Sequence, residues 1–448
     1  MVSRVVLLIW SKTEEKMMRK SRICYVKALF LSICLFWLIG DYEDVQAEDY
    51  TIRSGTGTLE ELVGIEIPEE QVEQWSVEGK SWNQQSPQLE GQYPFLDYGS
   101  DYGYQDMIKR SNGEQRQVLY RALSEACRNF TVNLADADSY RMESSGNQYS
   151  IAFTINTEEL GAADLTGYEK VEVYFIFRHD NPQYFWLSNS VLYSGQSLDV
   201  VTYDEYADGD IRKTALDEII NTAKNVYQSQ ISGEDDLYNK VLKIHDTLIG
   251  DIEYSEDINV PIAHSIAGAM TSEKSAVCEG YAKVMQVMMN CYDIENIYVT
   301  GLGNGGGHAW NMVGMDDGKY YWLDATWDDQ LYEEFQHDYF LVGNQNFSDH
   351  IADSFEGTGV NFLYELPEAS ETDYVYIPGS EEGGEKGDIN ADGMINIFDL
   401  TICMNHIIQK QILNEEALKV ADVNEDGSVN IFDLTRIMNY IIKKSDTL

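Results

Sequence analysis

The chain has 448 residues, two to four times the usual domain length, so several domains with ample core are expected and a small disulfide-stapled fold is excluded. Its 44% hydrophobic and 24% charged residues are the composition of a chain that folds. With 31 Lys plus Arg against 76 Asp plus Glu, the net charge of -45 repels phosphate backbones and argues against a nucleic-acid partner.

Residues 1–47 read as an export signal, with basic Arg19, Lys20 and Arg22, an apolar run from Ala28 to Gly40, and small Val45 and Ala47 before a mature start near Glu48. The charged stretch from Lys12 to Lys16 makes Met17 or Met18 an alternative start. An apolar run shorter than the roughly 20 residues that cross a bilayer makes an uncleaved anchor the lesser alternative. A secreted, extracellular protein with no membrane span after cleavage is expected. Cys127, Cys278, Cys291 and Cys403 then remain, which is no disulfide framework.

Residues 48–100 are rich in Gly, Gln and Tyr and show no clear period. An α+β extension over 101–230 follows. It starts with a helix near Glu114 to Phe130, and alternation predicts strands that place Tyr149, Ile151, Phe153 and Ile155 on one face and Val171, Val173, Phe175 and Phe177 on another. Helices are predicted over Ala215 to Ile231 and Asp235 to Ile249; the second carries a stripe of Leu237, Val241, Ile244 and Leu248 and ends at Gly250.

The informative block lies in a core expected over 231–370. Ala282, Met285, Met289 and Tyr292 follow Cys278 at helical spacing and put the thiol in the first turn of a buried helix. Amide dipoles there favour thiolate, the reactive form. Ile297 to Thr300 reads as a strand, followed by a glycine run and two more strands around Asp316, Asp317 and Gly318. If those three residues form the hairpin loop, Met315 pairs with Lys319 and His308 with Thr326, which sets Asp324 diagonal to His308 on one face. A two-residue turn instead puts them on opposite faces. In the first register Cys278 is the nucleophile, His308 the base and Asp324 the group that orients it.

The run from Gly301 to Gly306 matches a dinucleotide fingerprint, but the next element is a strand and nucleotide binding is discarded. It suits a close backbone approach or a mobile loop beside His308. His245, His264, His337 and His350 lack metal-ligand spacing and read as structural or supporting residues. Cys127 and Cys291 read as helix packing, Trp310 and Trp327 as core or cleft walls, and Asn311 and Asp328 as residues able to support the site.

The segment from Ser275 to Ala282, the His308-Ala-Trp-Asn311 run and the Asp324-Ala-Thr-Trp327 run resemble the transglutaminase-like superfamily of papain-type cysteine enzymes, in its secreted bacterial branch. The likeness extends from about Tyr104 through a Pro182 to Trp186 strand and Lys243 to Asp246, to Asp338 to Leu341 and His350. It implies a fold in which a Cys-bearing helix packs on an antiparallel sheet, and a catalytic triad of Cys278, His308 and Asp324 without a cofactor. The oxyanion donor beyond the Cys278 amide is not placed. The resemblance does not choose among cross-linkers, peptidases and inactive relatives.

Glu371 to Lys386, rich in Glu, Gly and Ser, reads as a linker to a last module over 387–448. There Asp388 to Asp399 recurs 34 residues later as Asp422 to Asp433. Oxygen side chains fall at positions 1, 3, 5, 9 and 12 of each loop: Asp388, Asn390, Asp392, Asn396 and Asp399, then Asp422, Asn424, Asp426, Asn430 and Asp433. The residues at position 7, Met394 and Ser428, offer backbone carbonyls, and glycine stands at position 6. Two calcium loops are predicted. Position 12 is Asp instead of Glu, and no amphipathic helix leads into the first loop.

Loop-then-helix in duplicate over Gly387 to Ile442 resembles a type I dockerin, which implies a small all-α module, two Ca2+ ions, a cohesin partner on a scaffold, and a cellulosome-type, polysaccharide-degrading complex. By family position Ile397, Phe398, Ile431 and Phe432 face the cohesin. Their identity in both copies allows two docking orientations. The alternative is that Phe398 and Phe432 pack on each other in a small core.

Together these readings predict a secreted, scaffold- or surface-associated thiol enzyme acting on amide bonds of proteins or peptides, as peptidase or amidase or as glutamine cross-linker, with hydrolysis slightly favoured. The alternative is a catalytically silent module of the same complex.

Overall fold

The computed structural model describes residues 49–51, 59–68, 93–143, 145–233, 235–329, 337–353, 365–376, 386–390, 394–410, 413 and 415–443. The expected leader at 1–47 and the loop residue Asp392 lie outside the described residues.

The first layer is a six-stranded sheet in the order β1-β2-β5-β6-β4-β3, made of β1 (Asp49–Thr51), β2 (Val63–Glu66), β3 (Asp138–Arg141), β4 (Gln148–Asn156), β5 (Leu187–Tyr193) and β6 (Ser197–Thr202). β2 runs parallel to β5, so the stretch at 59–68, whose sequence shows no period, contributes a strand to this sheet. Helices α1 (Tyr102–Met107), α2 (Gly113–Val132) and α3 (Gly167–Asp180) pack with one another, and α2 and α3 also lie against the sheet.

Three expectations for this first layer are corrected. Val171 to Phe177 is part of α3 and is not a strand. Thr166 and Glu169 form a capping box at its start, and every residue from Glu169 to Asp180 is buried, so no polar face reveals the helical period. Several buried charges of α3 have partners: Glu172 accepts from both Arg110 and Arg116, Arg116 also meets Glu169 at 3.1 Å, and Lys170 Nζ donates to the Ser194 and Gly195 carbonyls at 2.9 and 2.8 Å.

In β4 a bulge between Ile151 and Phe153 splits the expected single face. Tyr149 and Ile151 join a small cluster with Ile65, Tyr140 and Leu192, whereas Phe153 and Ile155 enter the main core. Residues 182–186 form turns rather than a strand, and β5 begins at Leu187.

The helix expected at 215–231 starts earlier, as α4 (Gly209–Thr222) capped by Asp208, and widens into a π turn over Ala223–Tyr227. α5 (Leu237–Asp251) is capped by Asp236, buries Val241, Ile244 and Leu248 fully, and runs one residue past Gly250. The second layer follows. Short β7 (Glu253–Tyr254) pairs parallel with β8 (Ser275–Ala276), and α6 (Ile266–Met270) lies between them in sequence. α7 (Cys278–Asn290) packs on a sheet of order β11-β10-β9-β12, formed by β9 (Asn296–Gly303), β10 (Gly306–Gly314), β11 (Tyr320–Leu323) and β12 (His350–Ala352). All its pairings are antiparallel, so a Cys-bearing helix on an antiparallel sheet is present as the α+β expectation requires.

The short helix α8 (Ala325–Asp328) follows β11. Residues 371–376 are docked: Tyr374 N–H donates to Leu341 O at 2.9 Å and the Tyr376 ring stacks on Tyr238 at 3.9 Å. The expected tether therefore does not begin at Glu371. The terminal module holds α9 (Ile397–Ile407), α10 (Glu415–Ala421) and α11 (Ile431–Ile441) around Ile389, Cys403, Leu413, Ala417, Ala421, Val423 and Ile437. The middle helix was not expected. Phe398 and Phe432 are 66% and 69% exposed, so they form no core.

Glu172→Ala leaves Arg110 and Arg116 buried without their shared carboxylate and is expected to cost about 3 kcal/mol, read as a fall in the urea midpoint. A loss under about 1 kcal/mol would mean that neighbouring Asp106 and Glu169 suffice.

Candidate active site

Cys278 is the first residue of α7, preceded by extended Val277 at the N-cap, and it is fully buried. β8 delivers the chain there, and Val277 N–H donates to Ala263 O at 3.0 Å. Gly280 lets the helix come this close, because a Cβ there would sit 2.7 Å from Ala263 O. Around the thiol pack Ala282, Tyr298 and Ala309, with Leu59 from the N-terminal segment against the same group.

His308 stands on β10 opposite Gly301 of β9. The glycine run is the hairpin between these strands, with Asn304 (φ 48°) and Gly305 (φ 79°) both left-handed, as a tight two-residue turn requires. Gly303 serves the site directly, since a Cβ on it would lie 2.9 Å from both the His308 and the Trp327 rings. The Trp327 ring stacks beside the imidazole, with centroids 5.2 Å apart.

Between β10 and β11 the three-residue loop forms: Met315 N–H donates to Lys319 O at 2.9 Å and Gly318 has φ 74°. Pairing ends at Asn311 opposite Leu323, and the chain then turns into α8. Thr326 therefore does not face His308. Asp324 reaches the imidazole as the N-cap of α8, and not from a diagonal strand position.

That capping role fixes the carboxylate. Its Oδ1 accepts the Thr326 and Trp327 N–H groups at 3.0 and 3.3 Å, and its Oδ2 meets His308 Nε2 at 2.6 Å. The same Oδ2 meets His350 Nε2 at 3.1 Å, and Asp349 holds the other nitrogen of His350 at 2.8 Å. Burial opposes charge on His308, but Asp324 and then a hydrogen bond with Cys278 outweigh it and push its pKa up to about 10. Burial likewise works against the Asp324 anion, yet His308 and His350 hold its pKa below the usual carboxylate range. Because Nε2 serves Asp324, Nδ1 is the nitrogen left for the sulfur. Cys278, His308 and Asp324 thus lie together.

Two further groups complete the surroundings. His350, read from the sequence as structural or supporting, joins through a strand 26 residues beyond Asp324, and Glu279 is one that sequence reading missed. Glu279, next to the thiol, is buried and bonds His264 Nδ1 at 2.6 Å, Tyr298 O–H at 3.1 Å and the backbone N–H of Glu60 at 2.7 Å. Burial disfavours its charge, but Lys283 and His264 outweigh burial and hold its pKa well below the ordinary value. Glu60 in turn pairs with Arg178 at 2.6 Å. Asn311 Nδ2 donates to Ala282 O at 3.0 Å and ties β10 to α7, while Asp328 supports His245 at 3.2 Å.

In the terminal module Asp399 and Asp433 are completely buried and, among the described residues, have no ion-pair partner. Asp399 accepts the Ile389, Asn390 and Asn396 N–H groups, and Asp433 accepts those of Asn424 and Asn430. Gly427 adopts φ 87° where the second loop turns. Asn396 and Asn430 cap α9 and α11, and their Nδ2 groups donate to the Met394 and Ser428 carbonyls. A hard-oxygen set closed by a buried, cation-free carboxylate fits Ca2+. Ile397, Phe398, Ile431 and Phe432 all stand exposed at the helix starts.

Among solved structures, the chain is similar to one described as "a TGase" (17% identity over 32% of this chain and 44% of that chain, TM-score 0.23). It is also similar to "a Putative Cysteine Protease from Cytophaga hutchinsonii" (22% identity, 29% of this chain and 51% of that, TM-score 0.21) and to menin (14%, 56% and 58%, TM-score 0.24). The chain spans about half the length of these structures. No curated protein matches it. Among the described residues no helix is long and apolar enough to cross a membrane. Residues 224–325 match the family model of the Transglutaminase-like superfamily and residues 386–442 that of the Dockerin type I domain, so the chain carries a transglutaminase-like region followed by a type I dockerin.

Proposed function

We propose that the chain is a secreted cysteine acyl-transfer enzyme acting on amide bonds of proteins or peptides, held by its dockerin on a cohesin-bearing scaffold of a cellulosome-type complex. The observation that carries this reading is the meeting of Cys278, His308 and Asp324, with the imidazole bonded on one side to the carboxylate and on the other to the thiol.

In this reading the proton of Cys278 resides on His308, and Asp324 stabilises the resulting imidazolium. The thiolate attacks the amide carbon and forms a C–S bond, while the carbonyl oxygen becomes an oxyanion beside the N–H groups that open α7. His308 gives its Nδ1 proton to the leaving nitrogen as the C–N bond breaks. Water or a lysine amine then attacks the thioester, His308 takes the incoming proton, and the sulfur leaves as thiolate. Water yields a peptidase or amidase and the amine yields a cross-link.

The dockerin supplies place rather than chemistry. Type I dockerins as a family bind calcium and imply a cohesin partner. Ile397, Phe398, Ile431 and Phe432 are the exposed apolar anchors suited to that contact. A second reading, a catalytically silent module, is favoured by one observation: the sulfur of Cys278 is enclosed, with Leu59 packed against its group.

Incubation with a glutamine-bearing protein and a fluorescent amine separates these readings. Wild type is expected to incorporate amine or release new peptide ends, and Cys278→Ala to lose at least about 10³-fold of either. Neither product, together with no selective alkylation of Cys278, supports the silent module.

The ion pair also sets a pH dependence. An imidazole raised from its ordinary value near 6.5 stabilises the fold fully below that value and loses the contribution as pH rises through about 10. Between pH 6 and pH 10.5 the urea midpoint of wild type is therefore expected to fall further than that of His308→Gln, by an amount on the order of a few kcal/mol in stability. Equal falls would show that no charged imidazole is held there.

Removal of calcium with EGTA is expected to unfold residues 386–443, read as lost helical circular dichroism, and to abolish retention on a cohesin column. Retention that survives EGTA would exclude calcium-dependent docking.

A further inference from the structure

Apart from the triad, one cluster of ligand-type side chains joins two imidazoles and a carboxylate at a partly open edge of the fold. His245 and Asp246 near the end of α5 meet His337, 91 residues beyond Asp246 in the chain. His245 Nδ1 lies 3.0 Å from Asp246 Oδ1, and His337 Nε2 lies 2.7 Å from the same oxygen. One donor atom from each residue falls within 4.8 Å of the other two.

The other nitrogen of His245, Nε2, lies 3.2 Å from Asp328 Oδ2, and Asp328 Oδ1 is fixed by the Tyr339 N–H at 2.9 Å. A completely buried imidazole therefore has a carboxylate on each nitrogen. Neutral imidazole carries one N–H, so one of these contacts sets a lone pair against a carboxylate oxygen. A proton on the ring or on the Asp328 carboxyl relieves this contact, and so does a metal ion between His245 Nδ1 and Asp246.

We propose that His245, Asp246 and His337 bind a divalent transition ion of the zinc class. Two imidazoles and one carboxylate suit that ion, and the Asp328 contact behind His245 is the outer carboxylate that selects the tautomer in which Nδ1 is free to ligate. Tetrahedral bonds near 2.0–2.1 Å separate ligand atoms by about 3.3 Å, so the spacings of 3.0 and 2.7 Å have to open by about 0.3 and about 0.6 Å. Asp246 and His337 are 26% and 39% exposed and can rotate to do this. The Phe340 ring packs on both imidazoles, with centroids 5.0 and 5.6 Å away, and shields the inner side.

The ion is a staple. It joins α5 to the segment at 337–341, whose Tyr339 carbonyl accepts the Asp324 N–H at 3.0 Å. Spacing in sequence hides the set, because its third member comes from a distant segment.

The test uses the untagged full chain carrying Cys278→Ala, which removes the thiol as a rival ligand, in excess Ca2+ to keep the dockerin loops filled. After dialysis against a chelator and return to calcium buffer, Co2+ titration is expected to show about one equivalent bound, with the visible absorption of a low-coordinate site that Zn2+ abolishes. Adding His337→Ala, at an exposed position, is expected to weaken binding at least about 100-fold, and adding Asp246→Asn at least tenfold, both with unchanged circular dichroism. No Co2+ band at micromolar protein, or an equal band after His337→Ala, overturns the proposal.

Discussion

The structure of the site depends on one carboxylate held from both of its oxygens. Asp324 closes β11 and opens α8, so one oxygen is committed to the helix start while the other is left for the imidazole of His308. Because the first commitment is to backbone, the direction of the second is set by the course of the chain and not by a freely turning side chain. His350 presses on the same oxygen from β12, and its ring stacks on Phe347 at 3.9 Å. An imidazole placed between an immobile anion and a helix-borne thiol is what gives the site its polarity.

Much of this site was legible in the sequence because its members come from consecutive elements. Helical spacing after Cys278 located the thiol, whereas the choice between a two- and a three-residue loop at Asp316 to Gly318, left open by the sequence, is made in the fold by the three-residue loop. The route by which Asp324 reaches His308 was not legible, because the strand yields to a helix cap one residue after Leu323. Burial on all sides explains the failure at α3: once Val171 to Phe177 meet apolar neighbours around the whole axis, alternation and helical period cannot be told apart. The bulge in β4 misled in the opposite way, shifting two apolar pairs to different cores while the sequence alternated without a break. Glu60 and the bond of His350 to Asp324 lay beyond reach because only the folded chain brings these groups together.

Beneath the thiol, buried Glu279, Arg178, His264 and Lys283 form a network of polar and charged groups with half-buried Glu60 at its edge. Such sets contribute little net stability when complete and cost several kcal/mol when one partner is missing. Their effect is to penalise every arrangement of α7, α3 and the N-terminal segment but one. The terminal module follows a different rule. There Asp399 and Asp433 are buried without basic partners among the described residues, and backbone N–H groups hold them instead.

The bond between the Glu60 amide and Glu279 spans 219 positions of the chain. In a polypeptide made from its N-terminus at about 5–20 residues per second, the thiol-bearing helix emerges about 10–40 s after the segment that later lies against it. Arg178 is made well before Glu279 and can engage Glu60 first. Cys278 thus enters a half-built enclosure, and the Glu60 contact beside it can close only after its helix has emerged.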